Sequence, residues 1–142
     1  MTTQPTVQVR VARRFSAPPE QVFDAWLDVE RAGKWLFATP SGQMVRVEID
    51  ARVGGSFVFV DRRNGDEIEH TGEYVEIDRP RRLVFTFSVP KFSSDSTRVT
   101  LDIVPLATGC ELTLTHDGVY QDYASRTAQG WTGILDGLAT VV

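Results

Sequence analysis

The sequence of 142 residues contains a single cysteine, Cys110, so an intramolecular disulfide is impossible. This scarcity suits a reducing compartment. No stretch approaches the roughly 20 consecutive apolar residues that are needed to span a bilayer. The N-terminal residues also lack the basic start and continuous apolar run of a signal peptide. We therefore expect a cytoplasmic protein without a membrane span.

The sequence also lacks the short motifs of common enzyme classes. There is no GxSxG nucleophile elbow, no GxxxxGK[ST] phosphate loop and no GxGxxG dinucleotide motif. A zinc site needs three or four converging ligands, and the only histidines are His70 and His116. We predict no metal and no cofactor, and the missing motifs argue against an enzyme without excluding one.

The charges are mixed and the apolar content is ordinary. With 15 basic and 19 acidic residues the net charge is −4, and 42% of the residues are hydrophobic. This composition is typical of a globular protein, and the length fits one domain over residues 1–142. A net negative surface repels phosphate backbones, so we expect no nucleic-acid partner. The basic clusters, which we interpret as solvated strand ends, are Arg13-Arg14, Arg62-Arg63 and Arg81-Arg82.

The spacing of apolar residues predicts the first elements. A period of two over residues 7–11 predicts a strand. Pro18 and Pro19 are tolerated only in a first helical turn, and Ser16 before them is a candidate N-cap. Gly33 interrupts the helical pattern, so we expect a second short helical turn to follow the first.

From residue 43 the period of two returns for about seventy residues, which predicts a run of strands. Gly54-Gly55 predicts a turn or bulge, and Asn64-Gly65 predicts a type I′ hairpin. Residues 107–109 form the last hairpin turn. On the strand that follows, we expect His116 to face inward or the rim and Asp117 to start a turn with Gly118. Sequential hairpins imply an antiparallel meander.

A final amphipathic helix is predicted by apolar residues at spacings of three and four. Its three glycines weaken it by about 1 kcal/mol each relative to alanine, so packing on the sheet must hold it. The predicted fold is α+β: a curved antiparallel sheet of six to seven strands around a long C-terminal helix, with two short helices after the first strand. The apolar positions are Ala128, Trp131, Leu135, Leu138 and Val142.

The apolar face of this sheet carries large aromatic side chains, which are compatible with a cleft between helix and sheet. The alternative is a filled core, and the residue pattern by itself favours it. Tyr74 and His116 are the polar residues most suited to reach the same space, although buried residues of these types are often satisfied by backbone groups. A cavity of several hundred cubic ångströms would favour a ligand, and a filled core would favour an interaction role.

Five segments in order resemble the START-like superfamily, also called SRPBCC or helix-grip proteins. They are RRFSAPPEQVFDAW, Lys34-Trp35, DARVGGSFVF, GEYVEIDRPRRLVFTF, and LTLTHDG followed by Gly130-Trp131. The sequence is most similar to the bacterial branch related to the C-terminal domain of the heat shock protein 90 ATPase activator.

This resemblance implies a deep cavity between the last helix and the sheet, where superfamily members bind lipids, sterols, polyketides and plant hormones. Trp26 and Trp35 are expected to pack the short helices against its rim. The positions that match cavity-facing sites are Phe57, Phe59, Tyr74, Phe85, Phe87, Leu101, Leu114, His116 and Trp131.

Three functions remain open. The leading hypothesis is binding of a small hydrophobic molecule that is lipid-, polyketide- or aromatic-like. A cyclase- or hydrolase-type enzyme would need an acid or base in the same cavity, for which His116 and Tyr74 are the first candidates, ahead of Glu73 and His70. A co-chaperone-like interaction module is the third, although we expect no separate N-terminal domain like that of the eukaryotic co-chaperone.

Overall fold

The structure, a computed structural model, describes residues 5–37, 42–91 and 95–142. Within them the chain begins with strand β1 (Thr6–Phe15) and helices α1 (Pro19–Asp24) and α2 (Val29–Trp35). It ends with a 3-10 turn, Gln121–Tyr123, and helix α3 (Ala124–Ala139). The strands between are β2 (Gln43–Ile49), β3 (Ser56–Arg63), β4 (Asp66–Asp78), β5 (Arg82–Phe87), β6 (Thr97–Pro105) and β7 (Cys110–Tyr120).

The seven strands form one antiparallel sheet in the order β1-β7-β6-β5-β4-β3-β2. Consecutive strands from β2 to β7 are neighbours, as short hairpins require. Helix α3 packs on β1 and β7 and touches α2, while α1 contacts β6 and α2 contacts β2. The predicted α+β helix-grip architecture is confirmed. No helix in the described ranges is long and apolar enough to cross a membrane.

Turn residues explain the hairpins, with one exception. Asn64 and Gly65 have φ values of 50° and 83°, as a type I′ turn requires, so this prediction is confirmed. The prediction of a turn at Asp117-Gly118 is wrong, because β7 continues to Tyr120. These two residues instead face Gln8 alone, and Gly118, with φ of 83°, supplies the positive φ of a β-bulge.

The helix ends differ from expectation at two residues. Ser16 does not cap α1, because the helix starts at Pro19 and the carbonyl of Pro18 accepts the amides of its first turn. A proline at the first helical position has no N–H to be capped, which lowers the need for a side-chain cap. At the other end α3 stops at Ala139, so Val142 lies beyond the helix, where it packs half-buried against the core.

The basic clusters are neutralised within the chain. Each of their six arginines has a carboxylate partner at 2.5 to 3.2 Å. Most of these pairs are exposed, so each contributes at most about 1 kcal/mol, but the compensation agrees with their interpretation as solvated strand ends. The pairs are Arg13–Asp136, Arg14–Glu111, Arg62–Glu67, Arg63–Asp61, Arg81–Asp78 and Arg82–Asp102.

Gly72 on β4 makes room for an aromatic ring on the neighbouring strand. A Cβ atom at this position would lie 1.8 Å from the carbonyl oxygen of Thr86 and 2.6 Å from ring carbons of Phe57. Since Phe57 is directly paired with Gly72 across β3 and β4, its ring lies over the glycine. The inner face of the sheet therefore depends on the absence of a side chain at Gly72.

We expect Gly72→Ala to lower the free energy of unfolding by about 3 kcal/mol or more, because neither the Thr86 backbone nor the Phe57 ring can move away freely. Gly130→Ala is the matched control. A Cβ there meets nothing within 4 Å, and alanine should stabilise α3 by about 1 kcal/mol. Urea unfolding measures both changes, and an unchanged midpoint for Gly72→Ala would contradict this account of the packing.

Candidate functional site

Side chains from the sheet and the helices pack together in the cleft between them. A small cavity of about 10 Å³ lies between the C-terminal ends of α1 and α2 and the inner face of the sheet. That volume is at the threshold for one water molecule. The cavity is far smaller than the deep cavity that the family resemblance implies. The cavity is lined by Trp26, Leu36, Phe37, Phe57, Phe59, Tyr74, Leu83 and Phe85.

The nine residues expected to face a ligand fall into three groups. Four line the small cavity, namely Phe57, Phe59, Tyr74 and Phe85. Phe87, His116 and Trp131 form a ring cluster beneath α3, with centroid distances of 5.7 to 6.1 Å. Leu101 and Leu114, paired across β6 and β7, are fully buried in the core.

Phe37 lies between the cavity-lining residues and the ring cluster beneath α3. It directly follows the C-cap of α2, is 4% exposed and directs its ring inward. The sequence reasoning missed it, and the only local signal is the apolar run Trp35-Leu36-Phe37 at the end of a short helix. Its ring contacts His70 at 4.7 Å, Phe87 at 5.3 Å, Phe59 at 5.4 Å, Trp131 at 6.0 Å and Phe57 at 6.3 Å between centroids.

The backbone of Phe37 has φ of 59°, in the left-handed region that favours glycine. For a bulky residue this conformation is an outlier that costs on the order of 1–3 kcal/mol. The contacts of the buried ring offset that cost, so the position holds its conformation through packing. Strain of this kind concentrates at functional sites.

The two tryptophans of the short helices differ in their polar contacts. Their rings meet edge to face at 4.6 Å. The indole N–H of Trp35 donates to the carbonyl of Ala25 at 3.2 Å. The indole N–H of Trp26 is buried and has no acceptor among the described residues. Trp26 packs against Trp35 and also forms part of the cavity wall.

Tyr74 supplies the other polar group among the cavity-lining residues. The residue is 4% exposed, and burial raises the pKa of its hydroxyl, with a further rise from the negative charge of Asp50. The hydroxyl is therefore neutral at physiological pH and able to donate or accept a hydrogen bond. With the Trp26 indole it gives an otherwise apolar cavity two polar groups.

His116 joins α3 to the sheet through both ring nitrogens. The indole N–H of Trp131 can only donate, so Nδ1 of His116 accepts it, at 3.0 Å. The proton of His116 must then be on Nε2, which donates to the Thr97 hydroxyl at 2.7 Å. That hydroxyl donates in turn to the carbonyl of Phe87 at 3.2 Å. An acid-base role for His116 would require one of these bonds to break.

The other acid-base candidates differ in access to the cleft. His70 is buried, its Nδ1 lies 3.3 Å from the carbonyl oxygen of Phe59, and burial lowers its pKa, so the stacked imidazole is neutral. Glu73 is exposed and lies on the opposite face of β4 from Tyr74. In the described ranges no three potential metal ligands come together.

We expect acid to weaken the fold through His116. Burial lowers its pKa from 6.5 to about 4, so the unfolded chain takes up a proton at a higher pH than the folded chain. Stability from this group is complete above about pH 6.5 and is lost as the pH falls toward 4, by a total of about 3 kcal/mol. An NMR titration of the His116 ring protons measures the midpoint, and a value near 6.5 would contradict the network.

The comparisons with known proteins agree with this fold. Residues 16–142 match the family model described as activator of Hsp90 ATPase homolog 1-like protein. No curated protein matches the chain.

Solved structures share the architecture. The protein CV1439 from Chromobacterium violaceum is 28% identical, with 95% of this chain and 96% of that chain covered and a TM-score of 0.87. The AHSA1-like protein from Aeromonas hydrophila is 22% identical, with 96% and 92% covered and a TM-score of 0.82. SA2116 from Staphylococcus aureus, of unknown function, is 17% identical, with 97% and 94% covered and a TM-score of 0.86. Because the structures from Aeromonas hydrophila and Staphylococcus aureus are less than 25% identical to this chain, their similarity shows the fold alone. Because the family model spans nearly the whole chain, the resemblance read from the sequence is confirmed, and the chain belongs to the family of activator of Hsp90 ATPase homolog 1-like proteins.

Proposed function

We propose that the chain binds a small, mostly apolar molecule with a hydrogen-bond acceptor in the cleft between the helices and the sheet. The observation that carries this proposal is the indole N–H of Trp26, which is buried and has no acceptor among the described residues, on a side chain that lines an apolar cavity. A buried donor without a partner costs about 1–3 kcal/mol, and such groups are rare in native proteins. A ligand acceptor would remove that cost.

The composition of the cleft supports the same function. Ligand sites are mostly apolar and carry a few polar groups that orient the bound molecule. The hydroxyl of Tyr74 is the second such group, beside the Trp26 indole. The proposed ligand-contacting residues are foremost the four expected ones that line the cavity, with Trp26 and Phe37 added to them, namely Trp26, Phe37, Phe57, Phe59, Tyr74 and Phe85. His116 contributes by positioning Trp131 rather than by transferring protons.

Binding at this site needs side chains to move, since the cavity of about 10 Å³ admits no organic ligand. The conformation that binds is then a minor one in the free protein. The observed affinity is reduced by the fraction of molecules in that conformation. We therefore expect modest affinity and slow association compared with a preformed site.

A thermal-shift screen of small apolar compounds, with and without a carbonyl group, tests the proposal on the wild-type chain. We expect carbonyl compounds to raise Tm. Trp26→Phe should weaken their binding by about 2- to 12-fold, the value of one hydrogen bond. Trp35→Phe removes the same volume of indole from a pair already satisfied by Ala25, so binding should be unchanged while stability falls.

Two results would contradict the proposal. One is a broad panel of lipids, ketones and aromatic compounds that leaves the wild-type Tm unchanged. The other is equal loss of affinity in Trp26→Phe and Trp35→Phe, which would mean that the Trp26 donor has no specific role.

A protein-interaction role is the second candidate, and the small volume of the cavity favours it, because a protein without room for a ligand offers its surface rather than its interior. The family description suggests a heat shock protein 90 chaperone as the partner. We expect, on this hypothesis, that the purified chain changes the ATPase rate of such a chaperone in a concentration-dependent way. An unchanged rate, with no chaperone recovered in a pull-down, would exclude it.

A further inference from the structure

We infer that the ring of Phe37 occupies the place of the ligand, and that the molecule which displaces it carries a planar aromatic ring. This inference rests on the proposed function and names the chemical class of its ligand. It also assigns to Phe37 a role for which no sequence motif gave a signal: an internal stand-in that fills the site when no ligand is bound.

The surroundings of the Phe37 ring are those of a bound aromatic molecule. Three of its five neighbouring rings have planes within 25° of its own, and the other two present their edges at 60° and 79°. Aromatic rings attract one another in these stacked and edge-to-face arrangements. The neighbours come from β3, β4, the end of β5 and α3, so most of the cleft converges on one ring.

The backbone conformation of Phe37 favours displacement of its ring. The positive φ of 59° is unfavourable for phenylalanine, and only packing of the ring compensates it. A ligand ring in the same place restores those packing contacts. The backbone is then free to return to a conformation with negative φ. The states with the Phe37 ring and with the ligand ring in the site are therefore close in free energy.

The position of the small cavity defines what the ligand ring should carry. Phe37 itself lines the cavity that Trp26 and Tyr74 also line. A short substituent on a ring in the place of Phe37 would enter that cavity. There the unpartnered N–H of Trp26 would meet an acceptor on the substituent, such as the carbonyl oxygen of an aromatic ketone. The expected ligand is thus a flat ring with one small polar group.

The test removes the ring of Phe37 by mutation and compares the binding of a planar ring, benzene, with that of a non-planar ring, cyclohexane. Phe37→Ala and Phe37→Gly vacate the place, and glycine also relieves the positive φ, so it should fold even if alanine does not. Phe23→Ala is the control, since Phe23 is 1% exposed and does not line the cavity. We expect benzene to raise the Tm of both Phe37 variants by about 5 °C, and cyclohexane and the control to show little effect.

An NMR signature identifies where the ring binds. The ring of Phe37 stacks on His70 at 4.7 Å with planes 7° apart, so it shifts the His70 ring protons upfield. That shift should disappear in Phe37→Gly and return when benzene, but not cyclohexane, is added. In the wild-type chain, acetophenone should move the ring resonances of both Phe37 and His70.

The outcomes separate this inference from the proposed function. If an apolar compound stabilises the wild-type chain but Phe37→Gly binds benzene no better than cyclohexane, the inference is wrong and the proposed function stands. Equal benzene binding by Phe23→Ala would also overturn the inference, because benzene would then bind any cavity left by a buried phenylalanine. If neither the wild-type chain nor the variants bind any compound, both fail.

Discussion

The hydrogen-bonded chain from Trp131 through His116 and Thr97 to the carbonyl of Phe87 is the interaction on which the arrangement of the cleft depends. Helix α3 carries three glycines and has no side-chain cap at its N-terminus, so its own propensity does little to keep it formed. The chain of bonds connects its central tryptophan to β5, β6 and β7 at once. Because every donor and acceptor in it is used, the helix has one favoured position on the sheet.

Two residues that line the small cavity, Trp26 and Phe37, each carry a local cost in free energy. Trp26 keeps a buried donor without an acceptor in the described ranges, and Phe37 keeps a backbone conformation that its side chain disfavours. Phenylalanine at position 26 would remove the unpaired donor, whereas at position 37 the contacts of the buried ring offset the cost of the backbone conformation. Natural proteins tend to retain such conflicts where the site has another use, and here the two residues line the same cavity.

Much of the fold could be predicted from the sequence because its signals are local. The period of two, the turn residues Asn64-Gly65 and the helical spacing around Trp131 each act within a few residues. The packing of aromatic rings in the cleft could not be predicted, since it depends on how rings from three strands meet. Phe37 was missed because nothing in the pattern indicates a positive φ after Leu36. The site could therefore be identified only from the register of the strands and the path of the backbone after α2.

The bulge at Asp117-Gly118 reverses which side chains of the last strand face inward. His116 and Val119 are three residues apart and would face opposite sides of a regular strand, yet their partners Val9 and Val7 share one side. The extra residue thus turns Val119 inward and leaves Tyr120 facing outward, where its hydroxyl donates to Asp95. A chain shortened by one residue here would exchange those faces just before α3 begins. The length of this segment, as much as its chemistry, therefore sets where the final helix starts.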